Sequence, residues 1–471
     1  IVYQFLYELL IVFIPLFTIP YVSRVLGAEN IGLFSYTYAV ANYFVLFANL
    51  GIKNYGSRTI AMVRNNKEEL NRNFSEILSI HIIFSIIVIF VYLVLLFFFV
   101  EDNLVIFLIQ SIYVFAAVFD INWFFFGIEK FKLTVGRNTL VKILSVFLVL
   151  VFVKTQTDLW IYALILALSV FVGQSVVWFA LKQYVSWRRP SWANMKQHIR
   201  PLFVLFLPIL ALSLYKYMDK IMLGSISSNV QVGFYENAEK IINVPMSLIM
   251  AFGVVLMPRI ANMVTSKDKG EVFKLIDMSM EAVMLLAIAI SFGLAGISFV
   301  LAPIFFGYEF EECGILIMGL AVTVPFMAFA NVIRTQYLIP YKEDKIFVVS
   351  LFLGAAVNLI VNIILIPYMA ARGAVIGTIF AEIIVCIYQS YFVRKKIFIK
   401  KYLLNTIPPI LIGIVMFVFV FQIGNVMNIN IVTLILQLLV GMFIYAVGVF
   451  LLMLKSRTRL MVLLRKFVVR Y

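Results

Sequence analysis

The chain has little of what a soluble catalytic domain relies on. Only 13% of its 471 residues are charged, against about a quarter in an ordinary soluble domain. Its two cysteines, Cys313 and Cys386, stand far apart with no CxxC spacing, which excludes a disulfide framework. There is no GxxxxGK[ST] loop to cradle a nucleotide, no HExxH pair to hold zinc and no GxSxG nucleophile elbow. The repeated arginine ladder of a voltage sensor is missing too. No stretch between apolar runs exceeds about 20 residues, so neither face has room for a folded soluble domain. The large outer loop that a membrane glycan polymerase or ligase needs is likewise missing.

What is present is apolar: 64% of the residues are hydrophobic. A spanning helix takes about 20 mostly apolar residues. Fourteen runs meet that length, at 4–23, 31–51, 74–99, 104–126, 137–154, 158–181, 202–223, 234–257, 276–304, 314–337, 346–368, 373–393, 404–423 and 430–454. They are long and continuous, without the ten-residue alternation of an outer-membrane barrel, and so predict helices. The chain opens at Ile1 without a methionine, and its first run is too long and too well continued for a cleaved signal peptide.

The formal charge of +15 invites a nucleic-acid reading, but its placement argues against one. Of the 38 Lys and Arg, 31 fall in every second loop or in the tail. Examples are Lys53, Arg58, Arg64, Lys67 and Arg72, then Lys182, Arg188, Arg189, Lys196 and Arg200, then Arg394, Lys395, Lys396, Lys400 and Lys401. The tail beyond Lys455 adds five more, and the loop after the eighth run contributes Lys267 among others. The alternate turns hold only Arg24, Lys154 and Arg372, and carry Glu101, Asp102, Glu309, Glu311 and Glu312. Short loops rich in Lys and Arg stay in the cytoplasm. The pattern predicts an all-α integral membrane protein of the cytoplasmic membrane with both ends inside. Its cations meet anionic headgroups rather than nucleic acid.

A short internal repeat organises the runs. Arg24-Val-Leu-Gly27 followed by Ile31-Gly32-Leu-Phe-Ser-Tyr36 matches Ile221-Met-Leu-Gly224 followed by Val232-Gly233-Phe-Tyr-Glu-Asn237. Both sit at the first outer turn of a six-helix block. An even block keeps its orientation, so the blocks form a parallel repeat about an axis along the membrane normal. The expected organisation is a six-helix lobe over 1–181, a basic cytoplasmic linker over 182–201, a second six-helix lobe over 202–393, and two further helices with a basic tail over 394–471.

Several charges fall inside apolar runs, where each costs roughly 2.5–3.5 kcal/mol on the insertion scale. In the seventh run Ser213, Lys216, Asp219 and Lys220 share one helical stripe; in the eighth, Glu236, Glu239, Lys240 and Asn243 do. One reading is mutual neutralisation by i,i+4 pairs such as Glu236 with Lys240. The other is a polar wall of a central cavity offering cations to an anionic substrate. Arg24 holds the corresponding place in the first block, where snorkelling at the outer interface is the competing reading. Glu8, His81, Asn358, Asn362 and Glu382 read as interhelical hydrogen-bonding groups, and Trp123 and Trp178 as members of an interfacial aromatic belt.

The run Asp120-Ile-Asn-Trp123-Phe-Phe-Phe-Gly127-Ile-Glu129-Lys-Phe resembles a segment of the polysaccharide-export flippases. So do Pro20-Tyr-Val-Ser-Arg24-Val-Leu-Gly27, Tyr217-Met-Asp219-Lys220-Ile-Met-Leu-Gly224 and Gly233-Phe-Tyr-Glu-Asn-Ala-Glu239-Lys240, as well as Met257-Pro258-Arg259 and Arg334-Thr-Gln-Tyr-Leu-Ile-Pro340. The motifs run in order from the first helix to the twelfth. The resemblance implies the multidrug/oligosaccharidyl-lipid/polysaccharide exporter superfamily, with two six-helix lobes around a central cavity. It implies translocation, without catalysis, of an undecaprenyl-diphosphate-linked oligosaccharide for O-antigen, capsule or teichoic acid. By position it assigns Arg24, Lys216, Lys220 and Lys240 to the diphosphate or sugars. Asp219 and Glu239 orient them or bind a coupling ion, and Arg58 and Asp120 serve the inner face or gating. No cofactor or metal is implied; a coupling proton or sodium ion is left open. The implied partners are the lipid-linked oligosaccharide, the bilayer, and a glycan polymerase and glycosyltransferases. The alternative is an ion-coupled exporter of small molecules, whose cavity would be dominated by unpaired acids. The stripes here carry a basic excess instead.

Overall fold

A computed structural model describes residues 2–265 and 269–455. Lys267 and the basic tail from 456 onward lie outside the described residues, as does the side chain of Glu8. The described chain is helical, in the order α1 (Val2–Asn49), α2 (Ile52–Val63), α3 (Lys67–Phe99), α4 (Leu104–Val118), α5 (Asn122–Gly127), α6 (Phe131–Phe152), α7 (Leu159–Leu181) and α8 (Trp192–Ile226). There follow α9 (Asn229–Thr265), α10 (Lys269–Phe306), α11 (Cys313–Ala321), α12 (Thr323–Ile333), α13 (Asp344–Met369), α14 (Ala371–Val393), α15 (Ile399–Val426) and α16 (Ile431–Lys455).

Among the described residues thirteen helical stretches are long and apolar enough to cross a membrane. The first of them, Phe17–Val63, holds the end of the run expected at 4–23 together with the whole of the run expected at 31–51. The reason lies at Gly27, where φ is 77° and ψ 171°. That conformation is essentially restricted to glycine. It lets α1 continue as two helices meeting at a sharp kink.

The helices fall into two compact units, divided between Gly224 and Ser225. In the first unit the second half of α1 runs antiparallel to α8. Tyr36 packs where a Cβ on Gly224 would go, Tyr43 meets Tyr217 edge-on at 6.0 Å, and Phe47 lies 5.4 Å from Phe206. Gly51, with φ 72°, turns the chain from α1 into α2 against the backbone of Leu202 and Phe206. The core at this end is aromatic. Trp123 is 2% exposed, stacks on Phe74 at 5.6 Å and fills the space above Gly56. Trp123 is therefore a core residue and not part of an interfacial belt. The packing of α5 between α2 and α3 swallows its whole ring, which outweighs the interfacial preference of the indole. Trp178 is partly buried and donates its indole N–H to the Phe119 carbonyl at 2.9 Å.

In the second unit α13 and α14 make the closest helix pair, because Gly373 brings α14 onto the backbone of Leu365 and Ile366. Asn362 donates to Asn358 at 3.2 Å within α13, and both are buried. Small residues and buried amides are how helices associate where water is absent. Facing away from both interiors are large apolar side chains such as Phe97 and Phe179, more than four-fifths exposed. A surface of that kind is suited to acyl chains.

Ion pairs between loops respect the alternation of charge. Arg64 meets Glu129 at 2.6 Å and Arg188 meets Glu68 at 3.2 Å, each joining two loops assigned to the basic face, and Lys401 of such a loop meets Asp277 at the start of the ninth run at 2.7 Å. Arg372 meets Glu312 at 3.1 Å, joining two turns assigned to the other.

Candidate functional site

Arg24 stands one turn before the Gly27 kink and is exposed. The neighbouring Tyr21 donates its hydroxyl to the Val153 carbonyl at 2.7 Å. Asn30, beyond the kink, donates to the Gln156 carbonyl at 3.0 Å. These bonds hold Arg24 level with the turn between α6 and α7, at the end of the spanning segment rather than at its middle. The Thr155–Asp158 capping box closes that turn, with Asp158 accepting from the Lys154 and Thr155 amides at 2.9 and 2.8 Å.

The α8 stripe exists as the spacing predicts, but its members differ in environment. Lys216 is exposed, with its ammonium 5.4 Å from the Tyr217 ring centroid. Asp219 and Lys220 are 4% and 7% exposed. Nearly dehydrated charged groups of this kind are tolerated only where polar or charged neighbours offset the cost of burial, and both residues do have such interactions. The stripe lies level with Tyr43, whose hydroxyl comes within 3.5 Å of the Ser213 and Leu214 carbonyls. A buried polar cluster therefore faces the second half of α1 inside the first unit.

On α9, Lys240 pairs with Glu236 at 3.1 Å, the i,i+4 arrangement. Both are partly buried, and so is Glu239. One turn earlier, Tyr235 shares a hydrogen bond with Thr378 of α14 at 2.9 Å, and Cys313 approaches the Phe234 carbonyl at 3.3 Å. The stripe is thus anchored within the second unit, and its Lys240 is already half neutralised.

Asp120 has a local structural task. Its carboxylate accepts from the Asn122 amide at 3.0 Å and from the Asn122 side chain at 2.7 Å, which starts α5. Asn122 in turn donates to Gln174 and accepts from Arg137 at 3.1 Å. Two further aromatic residues of that motif, Phe124 and Phe125, are buried in the core. Arg58 is exposed on α2, on the helix that α5 packs against and far from Arg24 and the α8 stripe. Twenty-three residues of helix from Gly27 to Asn49 separate the two ends of the first unit by about 35 Å at 1.5 Å per residue.

Sequence reasoning missed two features. The first is a buried chain in which the Tyr55 hydroxyl lies 2.6 Å from His198 Nδ1 and the Glu76 carboxylate accepts from His198 Nε2 at 2.9 Å. One of only two histidines, and a lone acid inside an apolar helix, were the available signals. The second is an apolar groove of about 500 Å³ lined by Leu294, Met416, Val420, Leu438, Met442 and Tyr445 of α10, α15 and α16. The last two helices thus have a surface of their own although no motif marks them. Among the described residues no group of three or more His, Cys, Asp or Glu could hold a metal ion.

Thirteen apolar helical stretches among the described residues, with charged stripes on α8 and α9, define a multi-pass helical membrane protein. In fold the chain is similar to a structure described as "Lipid II flippase MurJ, inward closed conformation", with a TM-score of 0.74 at 16% identity, covering 96% of this chain and 98% of the other. An inward-facing multidrug resistance transporter of the MATE family gives 0.63 at 15%, covering 81% and 94%. Residues 1–264 match the family described as "Polysaccharide biosynthesis protein", and the chain belongs to that family. Among its relatives are proteins named "Putative O-antigen transporter" in Shigella dysenteriae and Escherichia coli K12. They are 24% and 25% identical over 390 residues, about four-fifths of this chain and over nine-tenths of theirs. "Lipid II flippase MurJ" of Bacillus subtilis is 28% identical over 224 residues, 44% of this chain and 41% of that protein.

Proposed function

We propose that the protein carries an undecaprenyl-diphosphate-linked oligosaccharide repeat unit from the inner to the outer leaflet of the bacterial cytoplasmic membrane. The unit feeds O-antigen, capsule or teichoic acid synthesis, and transport proceeds by alternating access with both termini in the cytoplasm. The observation that carries this reading is the α8 stripe. Lys216, Asp219 and Lys220 sit in one line on a membrane-spanning helix, with Lys216 exposed and the other two nearly dehydrated. A purely structural helix has no use for an exposed cation beside two buried charged residues, whereas a diphosphate passing through a low-dielectric region needs one. Without such groups the headgroup would face the full cost of entering hydrocarbon.

Arg24, Lys216 and Lys220 in the first unit and Lys240 in the second are the assigned contacts to diphosphate and sugars. Asp219 and Glu239 orient these cations or take up a coupling proton or sodium ion. The names borne by the relatives support a lipid-linked sugar cargo. The apolar groove between α10, α15 and α16 suits the chemistry of a polyprenyl tail, which otherwise stays in the bilayer. Glycosyltransferases would supply the cargo and a glycan polymerase would consume it.

Replacing Lys216 and Lys220 together by Ala is expected to abolish surface glycan. The protein's level in the membrane should stay unchanged, and lipid-linked repeat units should accumulate on the inner leaflet. Normal surface glycan in that strain would exclude the assignment. A depletion strain with intact glycan but increased sensitivity to organic cations would instead favour a small-molecule exporter.

A further inference from the structure

Beneath α2, where the loops are basic, the first unit has a second cavity of about 680 Å³. It is separated from the α8 stripe by most of the length of that helix. Arg200 stands near the start of α8, and the 20 residues from Arg200 to Lys220 span about 30 Å at 1.5 Å per residue. Three arginines from three helices line it: Arg58 of α2, Arg72 of α3 and Arg200 of α8. All three are exposed. Among the described residues no carboxylate comes within ion-pairing distance of any of them. Of the acids nearby, Glu76 is 1% exposed and committed to His198, and Glu68 and Glu69 stand one turn before Arg72 on α3, Glu68 paired with Arg188. His198 and Tyr55 line the cavity and are fixed by their mutual contact. Apolar side chains complete the lining: Met62, one turn from Arg58 on α2, and Val204 and Leu205, about one turn from Arg200 on α8.

Each half of this arrangement points to a ligand. Three unneutralised guanidinium groups around one cavity repel each other and offer forks that match phosphate oxygens in pairs. A free inorganic anion would be served by cations alone. Apolar side chains one turn from two of the arginines suit an anion that carries hydrocarbon. The volume is that of an ordinary ligand pocket, enough for a diphosphate and the first carbons of its lipid. We propose that this cavity is a loading site for a phosphate headgroup borne on a lipid, distinct from the α8 stripe. Only the identity of that lipid rests on the transport reading above. The Tyr55–His198–Glu76 chain holds the floor of the cavity in place, so Tyr55 and His198 are positioning residues here.

The test uses the full chain in phosphatidylcholine nanodiscs with farnesyl diphosphate as probe. The K216A/K220A double variant is the background, so that binding at the transport stripe is removed and the two assignments fail separately. Binding should persist in that background. Each of R58Q, R72Q and R200Q should weaken it about tenfold, the scale of one lost charge-assisted contact. The matching Arg→Lys changes, which keep the charge that orients the loops during insertion, should weaken it less. H198N should also weaken binding while leaving the protein monodisperse. Binding unaffected by all three Arg→Gln changes would overturn the site. Displacement of the probe by inorganic pyrophosphate at equal concentration would assign the cavity to a free anion and overturn the lipid assignment. Loss of probe binding on adding phosphatidylglycerol to the nanodisc would assign it to bulk phospholipid, with the same consequence.

Discussion

Single residues carry much of the packing of the first unit, and Gly56 is the sharpest case. A Cβ there would lie 2.5 Å from the Trp123 ring, which cannot retreat because Phe74 and Phe124 press on it. Overpacking of that kind costs about 1–3 kcal/mol. The gain in helix propensity on leaving glycine for valine is only a few tenths of that unit, roughly 0.4 kcal/mol. Gly56→Val should therefore lower the melting temperature of the purified protein in detergent, and shaving the opposing ring with Trp123→Leu should restore part of it. An unchanged melting temperature would mean that the ring has somewhere else to go. At this scale the sequence was a partial guide. The charged members of the α8 and α9 stripes fall where helical spacing puts them. The capture of Lys240 by Glu236 is the i,i+4 pairing that the spacing offered as one reading, whereas the division into exposed Lys216 and buried Asp219 and Lys220 depends on neighbouring helices and could not be read from the sequence. Trp123 was misread for the same reason: composition marks an indole as amphipathic, and only the fold decides which end prevails.

Elements were more legible, because a span of about 20 apolar residues leaves few alternatives to a helix. The exceptions are where the chain bends. Gly27 and Gly224 look alike in the short repeat, each following a leucine. They do different things. Gly27 adopts a backbone conformation that other residues reach only at about 1–3 kcal/mol, whereas Gly224 is helical and makes room for the Tyr36 ring. Gly27→Ala should impair both thermal stability and glycan export, and no change in surrounding side chains should rescue it. Gly224→Ala should be rescued by Tyr36→Ala. Equal rescue of both variants would show that the kink at Gly27 is a matter of space and not of backbone conformation. The amphipathic helix α2 and the short α5 were hidden within a basic loop and an apolar run. Their existence depends on the aromatic core that they share, and not on any period of their own. A π-helical turn at Arg334–Leu338 coincides with one of the family-like motifs. Such turns recur at functional sites because they free backbone carbonyls.

For the whole molecule, the decisive signal was the alternation of charge between loops, which no folding detail disturbs. Among the described residues, Arg64–Glu129, Arg188–Glu68 and Arg372–Glu312 each connect loops that the alternation puts on one face, and Lys401 meets Asp277 at the matching end of the ninth run, although nothing in their geometry says which face is cytoplasmic. Labelling answers that. In a variant with Cys313 and Cys386 replaced by Ala, a cysteine at Asp102 should react with an impermeant maleimide from outside the cell. One at Glu343 should react only after the membrane is opened. The reverse pattern would invert the topology and place the arginine-lined cavity on the wrong side to meet newly made substrate. The division between Gly224 and Ser225 describes two compact bodies, and transport by alternating access requires the polar stripes of α8 and α9 to gain and lose access to water in turn.

The central claim is that this chain moves a phosphorylated, sugar-bearing lipid headgroup across the bilayer. The most direct measurement reconstitutes the purified protein into liposomes holding an undecaprenyl-diphosphate-linked oligosaccharide in the inner leaflet, and follows its exposure to an added lectin or glycosidase. The wild-type protein should expose the sugar within minutes, and the K216A/K220A variant should expose it no faster than protein-free liposomes. Equal exposure by wild type and variant, or none by wild type under any imposed proton or sodium gradient, would contradict the account.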